Sequence, residues 1–463
     1  MQLHPARRLA SVLATLVGCF LLVGLFTLQM RYEGVESGLV SITPVDAAAA
    51  SVAPLHASGA GASAGAGTSA NASTGRTITA PYCSEVVATS DPSNPSGRTS
   101  TQMTFDDAWF SRDSHTYQHE LATACSVLAA VCNSESQYYD GVPGAIPYAE
   151  QTLGQLGFHD VRTASYALRS SVVHELGSLL AGSSDVAAYT LASTTIDPQD
   201  GQPTTLLFVG IRGTYGAEWL SNFNFLGPNP TELDHHGFKQ AEKEVEEAVR
   251  EYARELGIDP ERTRILITGH SRGGAIANLL AADLNTPDSD EPALAPSSGI
   301  YAYTFAAPCA TRALDRHDRT YGNIFNVVNE ADIVPQLPLS AWGFGRYGTK
   351  ITLPSATSSD FDDSFATMQT AFHRNTGNAL GCDEDTLEAL YSFGADASSH
   401  VPQAEDLFSP LGIFGVVQSF AGLDVLAALN AHYPDPYIAW MQAVDLAPTP
   451  PASRTGAPRS AAR

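Results

Sequence analysis

From about residue 115 onward, short apolar runs of strand character alternate with amphipathic or alanine-rich stretches of helical period. A helix is predicted over His115–Val131, and strands near Val186–Thr194 and Thr205–Ile211. Gly237–Leu256 carries apolar residues at Phe238, Ala241, Val245, Ala248, Val249 and Tyr252, the one-sided stripe of a helix lying on a core. An apolar run, Ile265–Thr268, then leads into an Ala/Leu-rich helical segment. Further strands are predicted at Ile300–Ala306, Ile324–Val328 and Tyr347–Leu353. This order predicts a mixed α/β sheet with helices on both faces. Periodicity alone does not choose among the α/β folds.

The ends of the chain follow other patterns. Arg7 and Arg8 precede an almost uncharged apolar stretch, Leu9–Met30, of about 20 residues, long enough for a membrane-spanning helix. The arginines favour a cytoplasmic N-terminus, which predicts an uncleaved signal-anchor over residues 1–31 with the rest of the chain outside the cell. The alternative is secretion after cleavage near Ala47–Ala50. Leu16–Cys19 looks like a lipoprotein cleavage box, but the apolar run continues past it, as a spanning helix requires. Residues 32–76, Ala/Gly/Ser-rich from Ala47 to Gly75, read as a flexible linker. Residues 447–463 read as a disordered tail, and residues 77–446 as one large domain.

The net charge of -24 argues against a nucleic-acid partner and against simple attraction to anionic membrane surfaces. No phosphate loop and no zinc-type Cys/His spacing appears. Of the cysteines beyond the anchor, Cys125 and Cys132 stand two helical turns apart, about 10 Å, too far for a disulfide. They read as core residues, as does Cys309. Cys83 and Cys382 complete an odd set, so at least one thiol has no partner within the chain.

The candidate chemistry sits in Gly269-His270-Ser271-Arg272-Gly273, a G-x-S-x-G pentapeptide between the apolar run and the helical segment. That strand–turn–helix setting is what a nucleophile elbow requires. Two glycines permit the sharp turn, and the helix N-terminus beside Ser271 favours developing negative charge. The bland reading is a Gly-rich turn with a capping serine. An acid and a histidine should follow in that order. Asp332 lies in the turn after Ile324–Val328, and Glu330 is the weaker acid candidate because it lies closer to the strand. His373, His400 and His432 all follow Asp332, and the residues alone leave the choice among them open.

Taken together, these blocks resemble the class 3, fungal-lipase-like family of serine hydrolases, in one of its bacterial branches. The resemblance runs from about Tyr117 to Met441. Its blocks are LLFVGIRGT (Leu206–Thr214), EWLSN (Glu218–Asn222), His236-Gly237-Phe238, the elbow, YTFAAP (Tyr303–Pro308) and NEADIVPQLP around Asp332. It implies the α/β-hydrolase fold and a triad of Ser271, Asp332 and His432. It also implies backbone oxyanion donors at Thr214 and Arg272. His432 fits best because Tyr433 and Tyr437 follow it. Two departures stand out. The interval from Asp332 to His432 is long for the family, implying an insertion between Ser355 and Gly422. Arg272 occupies a position usually held by a leucine-like residue.

The resulting expectation is a membrane-anchored or secreted serine carboxyl-ester hydrolase that needs no cofactor and acts on lipid esters, with an inactive scaffold protein or a non-lipid esterase or thioesterase as alternatives. Leu407–Leu429 is unusually apolar for a segment beside the insertion. It reads as a core helix or as a lid hinged at Gly412, Gly415 and Gly422.

Overall fold

Leu206 and Phe208 point to one side of their strand, Leu207 and Val209 to the other, and two separate cores form against these two faces. The computed structural model describes residues 75–138, 147–164, 187–197, 202–213, 232–356, 358–380, 384–400, 402–403, 415 and 425–448. The expected anchor, most of the linker, Thr214, Glu218–Asn222, Cys382, most of the tail and most of Leu407–Leu429 lie outside them. Among the described residues no helix is long and apolar enough to cross a membrane.

The chain opens with a hairpin, β1 (Arg76–Cys83) and β2 (Arg98–Phe105), with α1 (Glu85–Ser90) between them. Then come α2 (His119–Tyr138), α3 (Tyr148–Gln155), β3 (His159–Ala164), β4 (Tyr189–Ile196) and β5 (Thr204–Ile211). They are followed by α4 (His236–Leu256), β6 (Thr263–His270), α5 (Arg272–Asn285), β7 (Ile300–Phe305), β8 (Ile324–Val328) and β9 (Thr349–Thr352). Last are α6 (Phe361–Thr376), α7 (Glu384–His400), α8 (Val425–His432) and α9 (Pro434–Ala443).

Strands β3 to β9 form one sheet in sequential order. β3, β4 and β5 pair antiparallel, and β5 through β9 run parallel. The parallel strands therefore end on one edge, where open α/β sheets gather their functional groups. Helices cover both faces. α2 and α9 bury one face together with the hairpin, and α4 and α5 bury the other. The α4 stripe is inside as its periodicity predicts, apart from Ala248, which is partly buried. Burial of each large residue on it, such as Phe238 or Tyr252, is worth about 1.5–3 kcal/mol. His235 stacks on Phe238 and caps this helix at its start, and Gly257 ends it in the left-handed conformation at φ 62°. Cys125, Cys132 and Cys309 are buried.

The hairpin is absent from the sequence expectation. RTITAPYC contains a proline and two threonines, and RTSTQMTF is mostly polar. Only every second residue of each goes inside: Ala80, Tyr82, Met103 and Phe105 join the core under α2. A hairpin with so few apolar positions is held by what it packs on rather than by its own pattern.

Candidate active site

Three loops at the C-terminal edge of the parallel strands build the site, and the elbow is the most constrained. Ser271 lies between β6 and α5 with φ 57° and ψ -130°. A non-glycine residue pays about 1–3 kcal/mol for such a conformation, so the surroundings must hold it. Its N–H donates to the Phe305 carbonyl at 2.9 Å, and its carbonyl accepts from the Ala275 N–H at 3.1 Å. A Cβ at Gly269 would lie 2.4 Å from the Gly273 carbonyl oxygen, and one at Gly273 would lie 2.3 Å from that of Ile211. Both glycines of the pentapeptide are thus required by close backbone approach.

The second loop follows β8. Asp332 is fully buried, and its Oδ1 accepts from the Val334 N–H at 2.9 Å. Asn329 folds the turn by accepting from the Ala331 N–H at 3.1 Å. Glu330, the weaker acid candidate, points away and pairs with Lys350 at 3.5 Å.

His432 ends α8, just before Tyr433 and Pro434 start α9. Its Nδ1 lies 2.8 Å from Asp332 Oδ2, and its Nε2 lies 2.9 Å from Ser271 Oγ. An ionised carboxylate only accepts, so Nδ1 carries the proton and Nε2 is left to accept from the serine hydroxyl. The other two histidines stand elsewhere. His373 is exposed on α6, and His400 bonds the Asp396 carbonyl of its own helix at 3.0 Å. The structure thus brings Ser271, Asp332 and His432 together.

Of the two expected oxyanion positions, Thr214 lies outside the described residues. Arg272 is the first residue of α5, at the helix end where backbone N–H groups point outward. Its side chain is buried, and its charge favours the carboxylate of Glu244 on α4.

Sequence reasoning missed three contributors. Tyr437, noted only as a nearby aromatic, donates its hydroxyl to Asp332 Oδ2 at 2.8 Å and accepts from the Asn329 N–H at 3.2 Å. Burial first, and Asp332 second, push its phenol far above the usual range. His270 reaches the carbonyl of His432 with Nε2 at 2.8 Å, while Asn133 of α2 reaches His270 Nδ1 at 3.3 Å. Burial and the neighbouring His432 hold His270 well below the ordinary imidazole pKa. No local signal points to Asn133, which lies 137 residues from His270 in the chain.

An apolar pocket adjoins the acid side of the site, lined among others by Phe361, Phe365, Leu380, Ala427, Ala431 and Trp440. Ala427 and Ala431 also pack with Leu390 and Phe393 of α7. The C-terminal end of the apolar stretch Leu407–Leu429 belongs to α8, and Ala427 on it is buried.

The parallel sheet, the strained serine and the acid and histidine beside it define the elbow of an α/β-hydrolase-type protein. Residues 208–342 match the model of the class 3 lipase family. Among curated proteins, the secreted mono- and diacylglycerol lipase A of Penicillium cyclopium, like that of Penicillium camembertii, is 28% identical over 207 residues. That alignment takes in 42% of this chain and 65% of each relative, so the chain spans about two thirds of their length. A lipase of Rhizomucor miehei is 28% identical over 155 residues, 32% of this chain and 42% of that one. A solved structure of the Rhizomucor miehei lipase propeptide complex aligns at 19% identity over 50% of this chain and 67% of that one, with TM-score 0.34. Over residues 208–342 this chain is therefore similar to the class 3 lipase family. The relatives named are fungal, and nothing in them supports the bacterial branch expected from the sequence.

Proposed function

We propose that this protein is a serine carboxyl-ester hydrolase acting on lipid esters through an acyl-enzyme. The observation that carries the reading is the hydrogen-bonded series Ser271 Oγ, His432 and Asp332, with contacts of 2.9 Å and 2.8 Å, at a serine held in a strained elbow. In this reading His432 Nε2 takes the Ser271 proton as Oγ attacks the ester carbonyl. The backbone N–H groups of Thr214 and Arg272 hold the oxyanion of the tetrahedral intermediate, each worth about 3 kcal/mol in the transition state. His432 then protonates the departing alcohol. Water, activated by the same imidazole, cleaves the acyl-enzyme and restores the serine. Asp332 keeps the proton on Nδ1 and stabilises the imidazolium.

One observation bears on the substrate class: the two Penicillium relatives are described as mono- and diacylglycerol lipases. Acylglycerols are therefore the proposed substrates. The domain works outside the cell, held by the apolar segment Leu9–Met30 or released from it; the Penicillium relatives are described as secreted.

The test is fluorophosphonate labelling of the purified chain, with hydrolysis of p-nitrophenyl esters of increasing chain length, a monoacylglycerol, a diacylglycerol and a triacylglycerol. Labelling that is lost in Ser271→Ala, together with turnover of the glycerides, is the expected result. An unlabelled wild-type protein with no turnover of any ester overturns the reading.

A further inference from the structure

The side chain of Asn133 lies between two parts of the site, the end of β5 and His270. Its Oδ1 accepts from the Gly213 N–H at 2.7 Å, and its Nδ2 lies 3.3 Å from His270 Nδ1. Each assignment forces the next. A backbone N–H only donates, so the amide oxygen must face Gly213. The amide nitrogen must then face His270, whose Nδ1 has to present its lone pair. The proton of that neutral ring therefore sits on Nε2, the atom 2.8 Å from the His432 carbonyl oxygen. The result is one directional relay: Asn133 to His270 to the backbone of His432. At the other end the same amide holds the residue immediately before Thr214. The fit is close, because a Cβ at Gly213 would lie 2.9 Å from the His270 carbonyl oxygen and 3.3 Å from Asn133 Oδ1.

We propose that Asn133 is a positioning residue of this site, setting the oxyanion strand end and the catalytic imidazole in one frame through Gly213 on one side and His270 on the other. The inference rests on the hydrolase reading above. Asn133 touches no reacting atom. Its effect is to fix two catalytic groups relative to Ser271, which matters because small displacements of such groups cost large factors in rate.

Two variants separate polarity from packing. Asn133→Ala removes the amide. Asn133→Leu keeps most of the side-chain volume but has neither the acceptor for Gly213 nor the donor for His270. Measured on a soluble short-chain ester, kcat per folded molecule is expected to fall about 10–100-fold in both, with KM changed less than about threefold. The loss in Asn133→Ala/His270→Ala should be well below the product of the single losses, since both act through one relay. A packing role predicts instead that Asn133→Leu keeps wild-type kcat, and that outcome overturns the proposal. So does a loss confined to KM, or strictly multiplicative losses in the double variant. An inactive, unlabelled wild type would mark failure of the hydrolase reading itself, whereas an active wild type with an unaffected Asn133→Leu marks failure of this inference alone.

Discussion

Tyr437 donates its hydroxyl to Asp332 Oδ2, the same oxygen that accepts from His432, and both contacts are 2.8 Å. Two donors on one buried oxygen hold the carboxylate against the imidazole. Tyr437→Phe removes one of them and leaves the Asn329 N–H without its acceptor. Stability should fall by about 1–3 kcal/mol, the cost of a buried unsatisfied donor. The kcat for ester hydrolysis should fall about tenfold, as a carboxylate with more freedom orients the imidazole less well. Urea titration and steady-state kinetics check the two effects separately; an unchanged kcat would remove Tyr437 from the positioning of Asp332.

Ser271→Gly should be inactive and yet more stable than the wild type. Glycine enters the φ 57° region without the steric cost that serine bears there. A gain of about 1 kcal/mol is expected. A destabilised glycine variant would mean that the elbow is not strained in solution.

The three histidines are ranked by position. His432→Ala should lower kcat by about 10³-fold or more, as loss of a triad member does. His373→Ala and His400→Ala should stay within about twofold of wild type. A dead His373 or His400 variant with a functional His432→Ala would contradict the arrangement described above.

Asp435, on the first turn of α9, is fully buried and accepts from the Tyr82 hydroxyl at 2.9 Å. Burial raises its pKa to about 6, against the opposing effects of Ser84 and Tyr82. A carboxyl raised in the folded state stabilises the fold while protonated, and that stability is lost as pH climbs from near 4 through about 6. The full effect is on the order of 3 kcal/mol. Asp435→Asn, which still accepts from Tyr82, should therefore be more stable than wild type at pH 8 and about equal to it at pH 4. Equal differences at both pH values in urea melts would contradict this.

Lys239 bridges Glu242 and Asp283 between α4 and α5, and Glu242 is fully buried. Lys239→Met leaves both carboxylates without their cation, at a cost of about 3 kcal/mol. Burial already raises the pKa of Glu242 despite Lys239, so in the variant it takes up a proton readily. Its pKa is about 8 with Lys239 in place and higher without it, so the penalty should grow as pH rises from 7 to 10. Thermal melts across that range test it, and a pH-independent penalty would argue against an uncompensated charge.

Several elements were legible because their signal is local. The stripe of α4, the runs Ile265–Thr268 and Ile324–Val328 and the pentapeptide each carry their pattern within one element. Boundaries moved by a few residues, as at α2, which begins at His119 rather than His115 and ends at Tyr138. The hairpin and the helices α6, α7 and α9 were not legible, since their packing partners lie far along the chain.

For the site, the sequence by itself determined the kind of nucleophile and the order of its partners. Gly269 and Gly273 flank Ser271 between a strand and a helix, and backbone sterics allow little else there. The residues alone left three histidines open, because an imidazole has no local pattern that marks a catalytic role, and only the family resemblance favoured His432. The tertiary structure chose His432 by bringing it 2.8 Å from an aspartate 100 residues earlier in the chain and 2.9 Å from a serine 161 residues earlier. Asn133, His270 and Tyr437 entered the same way. Hydrogen bonds hold at one distance and one direction, and only the folded chain decides which groups meet that geometry.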